Sequence, residues 1–400
     1  MESIRNLVGL AQALDQKKFV IGALSISFMV YVWRKHKQNC QNNLIYANTP
    51  LNREILKDFD SLKAFHPTPY LVNKYLQLMA LVIHAYFDKF WPIKYERELV
   101  EMSDGAIIAV DWWRKDLIKP DWPLLVLHPG GAGDSQDNYV TSVIRAVGKA
   151  GIPSVVINFR LADDIPLKTP KLYCHGWTQD AREVIDRIRN SYKLSLLVGC
   201  GFSLGGNILT NFVGEEGDKC KLDALVSIGN PLDIYQQSKL QPSWLFRYVH
   251  QKMFITALSR VQQNIKGKPE LKAAFEDMWN EPLDELLKKK YTFDDLLLRY
   301  LAPMFGYNAE DYYESVSSDR RLPFIKIPSL FIHAHDDVLV PNTVINHNKY
   351  ASNPNLLLCL ANRGTHICFY EKWLPKAWSG RVVTDYCLRI HSLHKKAHEQ

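Results

Sequence analysis

The sequence predicts an α/β chain: a mostly parallel sheet with helices on both faces, a helical insertion late in the sheet, and a membrane anchor at the N-terminus. Three observations predict it. Short apolar runs of strand length alternate with helical stretches, the signature of a doubly wound domain. A long segment, about 234–322, contains no strand pattern. Near the N-terminus an uncharged run stands between basic residues.

The uncharged run comes first. Phe19–Trp33 reads FVIGALSISFMVYVW, with Lys17 and Lys18 before it and Arg34, Lys35 and Lys37 after it. As a helix it would be about 22 Å long, short of the ~30 Å hydrocarbon core. Snorkelling lysines with Tyr31 and Trp33 would cover the deficit. A cleaved signal peptide needs small residues after its apolar run, and Val-Trp-Arg-Lys stands there instead. A buried core helix needs no basic brackets. The expectation is therefore a tail over 1–18 and a single-span signal anchor over 19–33. Its orientation stays open, because basic residues flank both ends about equally.

Residues 34–94 read as a helix-leaning linker, broken at Pro67 and Pro69. The main domain is expected over 95–400. It opens with a hairpin: Tyr95–Met102 and Ile107–Trp113 alternate around Ser103-Asp104-Gly105. Continuous apolar runs follow at Leu124–His128, Ser154–Asn158, Leu194–Val198, Ala224–Ile228, Ser329–Ile332 and Leu356–Leu360. Such runs suit parallel strands covered on both faces. A helix is expected from Thr178, its N-cap, with Val184, Ile185 and Ile188 on one face. In the strandless insertion, Leu245, Tyr248, Val249, Met253, Ala257 and Val261 form a stripe at helical spacing, read as core. Insertions of this length are commonly functional, as lids are.

Composition narrows the function. Forty-nine basic against 42 acidic residues give +7, with one dense run at Lys288, Lys289 and Lys290. No aromatic-interleaved basic stripe accompanies it, so it reads as a solvated face and nucleic acid is not an expected partner. The seven cysteines include no CxxC pair, which argues against a structural metal or a dithiol centre.

The strongest chemical signal is Gly201-Phe202-Ser203-Leu204-Gly205-Gly206, after a strand and opening a helix from Leu204 to Phe212. A strand-to-helix turn of this kind forces the serine into a strained backbone and exposes its hydroxyl at a helix N-terminus. Ser203 is the expected nucleophile, and Leu204 N–H points at the same spot. A serine needs a base and an orienter. Downstream, in the expected order, the strand SLFIHA runs into His335-Asp336-Asp337-Val338-Leu339-Val340-Pro341. After the last strand comes Ala361-Asn362-Arg363-Gly364-Thr365-His366. His366 is the expected base. Asp337, four residues before Pro341, is preferred as the acid over Asp336, which is expected to cap the following turn. The second oxyanion donor is expected from Pro129-Gly130-Gly131-Ala132-Gly133, after the first central strand, and is assigned to Gly131 N–H. No Lys-Ser/Thr follows these glycines, so they are not a phosphate loop.

Two rival patterns are weaker. His333-x-His335-x-Asp337 has metal-hydrolase spacing, but Val338 stands where a further histidine is wanted. His175 and Asp180 match a loose acyltransferase spacing, at a loop-to-helix boundary where Asp180 suits the first turn of a helix.

With these pieces in place, the sequence resembles the α/β-hydrolase 4 family of membrane-anchored α/β-hydrolase-domain lipases and yeast medium-chain ethyl-ester synthases. The likeness covers roughly 65–390 and rests on YERELVEMSDG (95–105), HPGGAGDSQDNYV (128–140), LKTPKLY (167–173), GFSLGGNIL (201–209), FGYNAEDYYESVSS (305–318), HAHDDVLVP (333–341) and GTHICF (364–369). One departure is Leu161-Ala162-Asp163-Asp164 after Asn158-Phe159-Arg160, where many relatives continue with glycines. The resemblance implies an α/β-hydrolase fold and a triad of Ser203, Asp337 and His366. It implies hydrolysis of lipid esters, monoacylglycerol or acylglycerol first, with phospholipid cleavage or acyl transfer to an alcohol as alternatives on the same residues. It also implies a single-pass enzyme of the endoplasmic reticulum or plasma membrane that needs no metal or dissociable cofactor. From a different class, a membrane-tethered binder of apolar ligands could keep the fold without turnover.

Overall fold

The computed structural model describes residues 16–31, 34, 40–71, 73–162, 165–240, 244–286 and 288–399. Nine strands form one sheet in the order β1-β9-β8-β7-β6-β4-β5-β3-β2. In chain order they are β1 (Asn43–Tyr46), β2 (Glu96–Glu101), β3 (Ile107–Trp113), β4 (Leu124–His128), β5 (Ser154–Ile157), β6 (Leu197–Phe202), β7 (Ala224–Ile228), β8 (Ser329–Ala334) and β9 (Leu356–Ala361). Strands β5, β4, β6, β7, β8 and β9 pair in parallel. At one edge β3 and then β2 turn antiparallel, and at the other β1 runs antiparallel to β9.

The apolar runs are continuous because both faces of the sheet are covered. Along β4, Leu125 and Leu127 enter one core cluster, with Val143 and Trp378. Leu124 and Val126 enter the other, with Ile185, Leu209 and Phe212. The first cluster packs against α2 (Asn138–Lys149) and α8 (Trp378–Glu399), the second against α3 (Gln179–Ser191) and α4 (Leu204–Glu216). Burying one such side chain contributes about 1.5–3 kcal/mol.

Several elements differ from expectation. Strand β6 begins later and continues through Gly199 and Gly201 to Phe202. A Cβ at Gly199 would stand 2.8 Å from Leu222 Cδ1, so the glycine makes room for neighbours packed against the strand rather than ending it. Thr178 occupies the cap position of α3, but its hydroxyl donates to Glu215 at 2.7 Å and does not cap.

The stretch read as a helical linker contributes β1 to the sheet, pairing Leu44 with Cys359. Behind it, Ile55, Phe59, Leu62 and Phe65 are buried in the main core. Trp378 Nε1 donates to Ser61 O at 2.8 Å, and the Phe65 and Trp378 rings lie 5.3 Å apart. Helix α1 (Lys74–Asp88) follows in the same stretch.

The chain is helical over 16–31, where Phe19, Leu24 and Phe28 are exposed; Val32 and Trp33, the end of the expected anchor, lie outside the described residues. Among the described residues, no helix is long and apolar enough to cross a membrane.

Between β7 and β8 the described residues contain no strand, as the strandless pattern predicts. Its elements include α5 (Trp244–Asn264), α6 (Pro269–Trp279), a π-helical segment (Asp295–Leu301) and α7 (Ala309–Val316). This insertion has its own apolar cluster, including Leu258, Val261, Phe275, Trp279 and Tyr300.

At the Leu161 departure the backbone takes φ 65° while the side chain stays buried; Asp163 and Asp164 lie outside the described residues. Arg160, beside it, is buried and forked to Asp180 (2.6 Å) and Asp104 (2.8 Å).

Candidate active site

All six parallel strands end on one edge of the sheet, where sites form in such folds. The loops after β4, β6, β8 and β9 carry the residues singled out from the sequence. Ser203 lies between β6 and α4 with φ 48° and ψ −117°. This left-handed conformation is costly for a residue with a side chain and is held by its surroundings. Ser203 N–H donates to Ile228 O at 2.8 Å. A Cβ at Gly201 would stand 2.6 Å from Gly206 Cα, and one at Gly205 would overlap the carbonyl oxygens of His128 and Pro129. Those two glycines let α4 start hard against β4 and β6.

His366 sits in the loop after β9, its Nε2 2.8 Å from Ser203 Oγ and its Nδ1 3.0 Å from Asp337 Oδ2. Histidine and aspartate are both buried. Asp337 Oδ1 accepts from Leu339 N (2.7 Å) and Val340 N (3.0 Å), so the carboxylate is fixed at both oxygens. Asp337 therefore caps its own turn, the task expected of Asp336. Asp336 is half-buried with Oδ1 unpartnered, and burial pushes its carboxyl up to about 6.

The loop after β4 has one N–H to spare. Gly130 N–H donates to the Tyr139 hydroxyl (3.0 Å), Ala132 N–H to the Tyr173 hydroxyl (3.0 Å) and Gly133 N–H to Gly130 O (3.0 Å). Among the described residues Gly131 N–H and Leu204 N–H have no partner. They are the two donors expected for an oxyanion. A Cβ on Gly131 would come 2.6 Å from Met253 Cε and 3.3 Å from Leu204 Cδ2, so the loop packs tightly there.

The two tyrosines were not legible as site residues. Tyr139 also donates to Asp137 Oδ2 at 2.8 Å, and burial raises the Asp137 carboxyl to about 6. Tyr173 belongs to the TPKLY stretch, but nothing in the sequence aims its hydroxyl at Ala132.

Above Ser203 and His366 lies a cavity of about 370 Å³. Its walls are mostly apolar and come from α5 (Val249, Met253, Phe254) and the π-helical segment (Leu296, Leu297). The helical stripe therefore divides. Val249, Met253 and Ala257 face this cavity, Val261 is core, and Tyr248 is exposed. Leu78 and Leu81 of α1 also line it, which the linker reading did not anticipate.

His175 and His250 add polar atoms to the wall. Burial pulls His175 down to about 3 and His250 to about 4, so both are neutral near pH 7. The rival patterns come apart. Asp180 is taken by Arg160 and by Trp177 Nε1, while His175 Nδ1 lies 3.4 Å from the Tyr312 hydroxyl. His333 is buried and lowered to about 4 by burial, whereas His335 is exposed.

A family model described as the alpha/beta hydrolase fold matches residues 123–372. The chain belongs to the α/β-hydrolase family. Curated relatives match over most of their length. An embryogenesis-associated protein, EMB8, of Picea glauca is 30% identical over 84% of this chain and 74% of its own. A monoacylglycerol lipase of Saccharomyces cerevisiae is 32% identical over 80% of this chain and 79% of its own. The phospholipase ABHD3 of Mus musculus is 31% identical over 77% and 74%. Within this α/β-hydrolase, the loop after β4 and the insertion between β7 and β8 shape the cavity.

Proposed function

We propose that the chain is a serine hydrolase of lipid carboxylic esters, acylglycerols first, acting through an acyl-enzyme on Ser203. The observation that carries this reading is the run Ser203–His366–Asp337, at 2.8 and 3.0 Å, on the floor of an apolar cavity. Asp337 holds His366 Nδ1–H, so Nε2 is the free base facing Ser203 Oγ. As Oγ attacks the acyl carbonyl, its proton passes to His366 Nε2. The oxygen that becomes negative is received by Gly131 N–H and Leu204 N–H at the N-terminus of α4, where the helix dipole adds to the attraction. His366 then gives the proton to the departing alcohol oxygen. Water enters by the same route and adds to the acyl carbon as His366 takes its proton; the carbon–Oγ bond then breaks, His366 returns the proton to Ser203 Oγ, and the fatty acid leaves.

Relatives named as a lipase and a phospholipase support a lipid ester as substrate, and the apolar cavity suits an acyl chain. The wall given by α5 and the π-helical segment then acts as the lid of the site. Exposed apolar side chains over 16–31 support attachment to a membrane through the expected anchor at 19–33.

The test is release of fatty acid from monoacylglycerol and from phosphatidylcholine by the full-length protein and by Ser203→Ala. Turnover in the wild type, reduced by about 10⁴-fold or more in the variant, is the expected result. Equal turnover by both would contradict the reading.

A further inference from the structure

Helix α1 is apolar on more sides than the protein covers. Between Lys74 and Asp88 it holds no Asp, Glu, Lys or Arg. One face is fixed to the domain. Gln77 donates to Leu71 O (2.8 Å) and accepts from Tyr370 N (2.8 Å), Ala80 is buried, and the His84 ring stacks on Tyr370 with centroids 5.0 Å apart. A second face, Leu78 and Leu81, lines the cavity over Ser203. The remaining face is bare: Tyr75, Met79, Val82, Tyr86 and Phe87 are exposed, Val82 at 65% and Tyr86 at 62%.

The bare face continues past the helix. Phe90 and Trp91 are exposed, and Tyr86, Phe90 and Trp91 make edge-to-face contacts with centroids 5.8 and 6.2 Å apart. The tip of the hairpin formed by β10 (Tyr370–Glu371) and β11 (Lys376–Ala377) adds Trp373 and Leu374, exposed at 75% and 74%. The tip is tied to the segment that precedes α1, since the Tyr70 hydroxyl donates to Trp373 O at 2.9 Å. Contiguous exposed apolar surface on this scale marks an interaction site, and Trp and Tyr are the residues favoured at membrane–water interfaces.

What the face meets is indicated by its rim. Between α1 and the hairpin lies a cleft of about 500 Å³. Two of its three acids are paired, Asp88 with Arg145 and Glu371 with Arg381, while Asp385 accepts from the Ser61 hydroxyl and keeps its charge. Lys149, Lys372 and Lys376 line the same cleft, and none forms an ion pair among the described residues. Apolar and aromatic residues beside uncompensated lysines suit an anionic lipid surface.

We propose that α1 and the β10–β11 tip dock on an anionic phospholipid bilayer. Met79, Val82, Tyr86 and Trp373 enter the acyl-chain boundary, and Lys149, Lys372 and Lys376 meet the headgroup phosphates. Because Leu78 and Leu81 line the cavity one turn away, α1 forms a common wall between bilayer and active site. A lipid ester then passes along α1 to Ser203 without crossing water. This rests on the lipid-ester reading of the Ser203 site.

The test uses the full-length protein with Cys220, the one cysteine that is not buried, replaced by Ala. An environment-sensitive fluorophore is placed on Val82→Cys, on Trp373→Cys and, as a control in the turn that follows α4, on Asp218→Cys. Each is mixed with phosphatidylcholine vesicles with or without phosphatidylserine. Expected on anionic vesicles are a blue shift, and quenching by spin-labelled acyl chains, at 82 and 373 but not at 218. The pair Lys372→Glu/Lys376→Glu weakens that signal roughly tenfold. The pair Val82→Glu/Tyr86→Glu slows turnover of a vesicle-embedded long-chain ester about tenfold and leaves a water-soluble short-chain ester unaffected. Labels at 82 and 373 that stay aqueous on protein sedimenting with vesicles would overturn the proposal. So would a concentration-dependent dimer that buries both labels without lipid. Failure of the wild type on both esters would instead count against the hydrolase reading, and the fluorescence would still decide the docking.

Discussion

Asp336 and Asp337 are adjacent, and their surroundings assign them different work. Asp337 receives two backbone N–H groups and faces His366 Nδ1, while Asp336 has a buried, unpartnered oxygen and a carboxyl raised to about 6. Asp337→Asn is expected to lower kcat by on the order of 10³-fold or more, because the amide favours the wrong imidazole tautomer. Asp336→Asn is expected to change kcat less than threefold, and steady-state kinetics of the two variants side by side decide between them. The D-x-x-x-P spacing singled out the aspartate that faces His366, but the turn it caps was legible only from the backbone. Tyr139 and Tyr173 act one step further out, holding Gly130 and Ala132 so that Gly131 N–H remains free. Removing the Tyr139 hydroxyl leaves Gly130 N–H unpaired, a cost of about 1–3 kcal/mol. Tyr139→Phe should therefore lower kcat roughly tenfold with KM little changed, since the oxyanion forms after binding. A fall in affinity alone would count against that role.

At the scale of elements, the sheet was legible because both of its faces are buried, which leaves continuous apolar runs in the sequence. Its glycine-bearing strand was displaced in the reading. Apolar content falls at Gly199 and Gly201, yet neighbouring elements pack closely against both. The strand-to-helix turn was legible for the same reason, as steric necessity leaves glycine at fixed places around Ser203. Gly205→Ala would push a methyl into the carbonyls of His128 and Pro129. Backbone cannot yield there cheaply, so a loss of at least about 3 kcal/mol is expected, read as a lowered denaturant midpoint or as no soluble protein. The stripe on α5 was half legible. Helical spacing identifies an apolar face but does not distinguish a core wall from a cavity wall, and Met253 and Val261 illustrate both outcomes.

At the scale of the molecule, the stretch before Tyr95 is part of the fold. Short elements separated by Pro67 and Pro69 gave no periodic signal long enough to read, yet Phe59, Leu62 and Phe65 complete the core under Trp378 and Tyr386. Each contributes about 1.5–3 kcal/mol on burial, a large share of a net stability of about 5–15 kcal/mol. A chain beginning at Tyr95 is expected to lose cooperative thermal unfolding, whereas one beginning at Cys40 keeps it. The proposed chemistry depends on Ser203 being an activated nucleophile in the folded protein. The most direct measurement is covalent labelling of the full-length protein by a fluorophosphonate, with the modified peptide identified by mass spectrometry. A single adduct on Ser203 is expected, absent in Ser203→Ala and strongly slowed in His366→Ala. No adduct on folded wild-type protein, or an adduct that persists in Ser203→Ala, would contradict it.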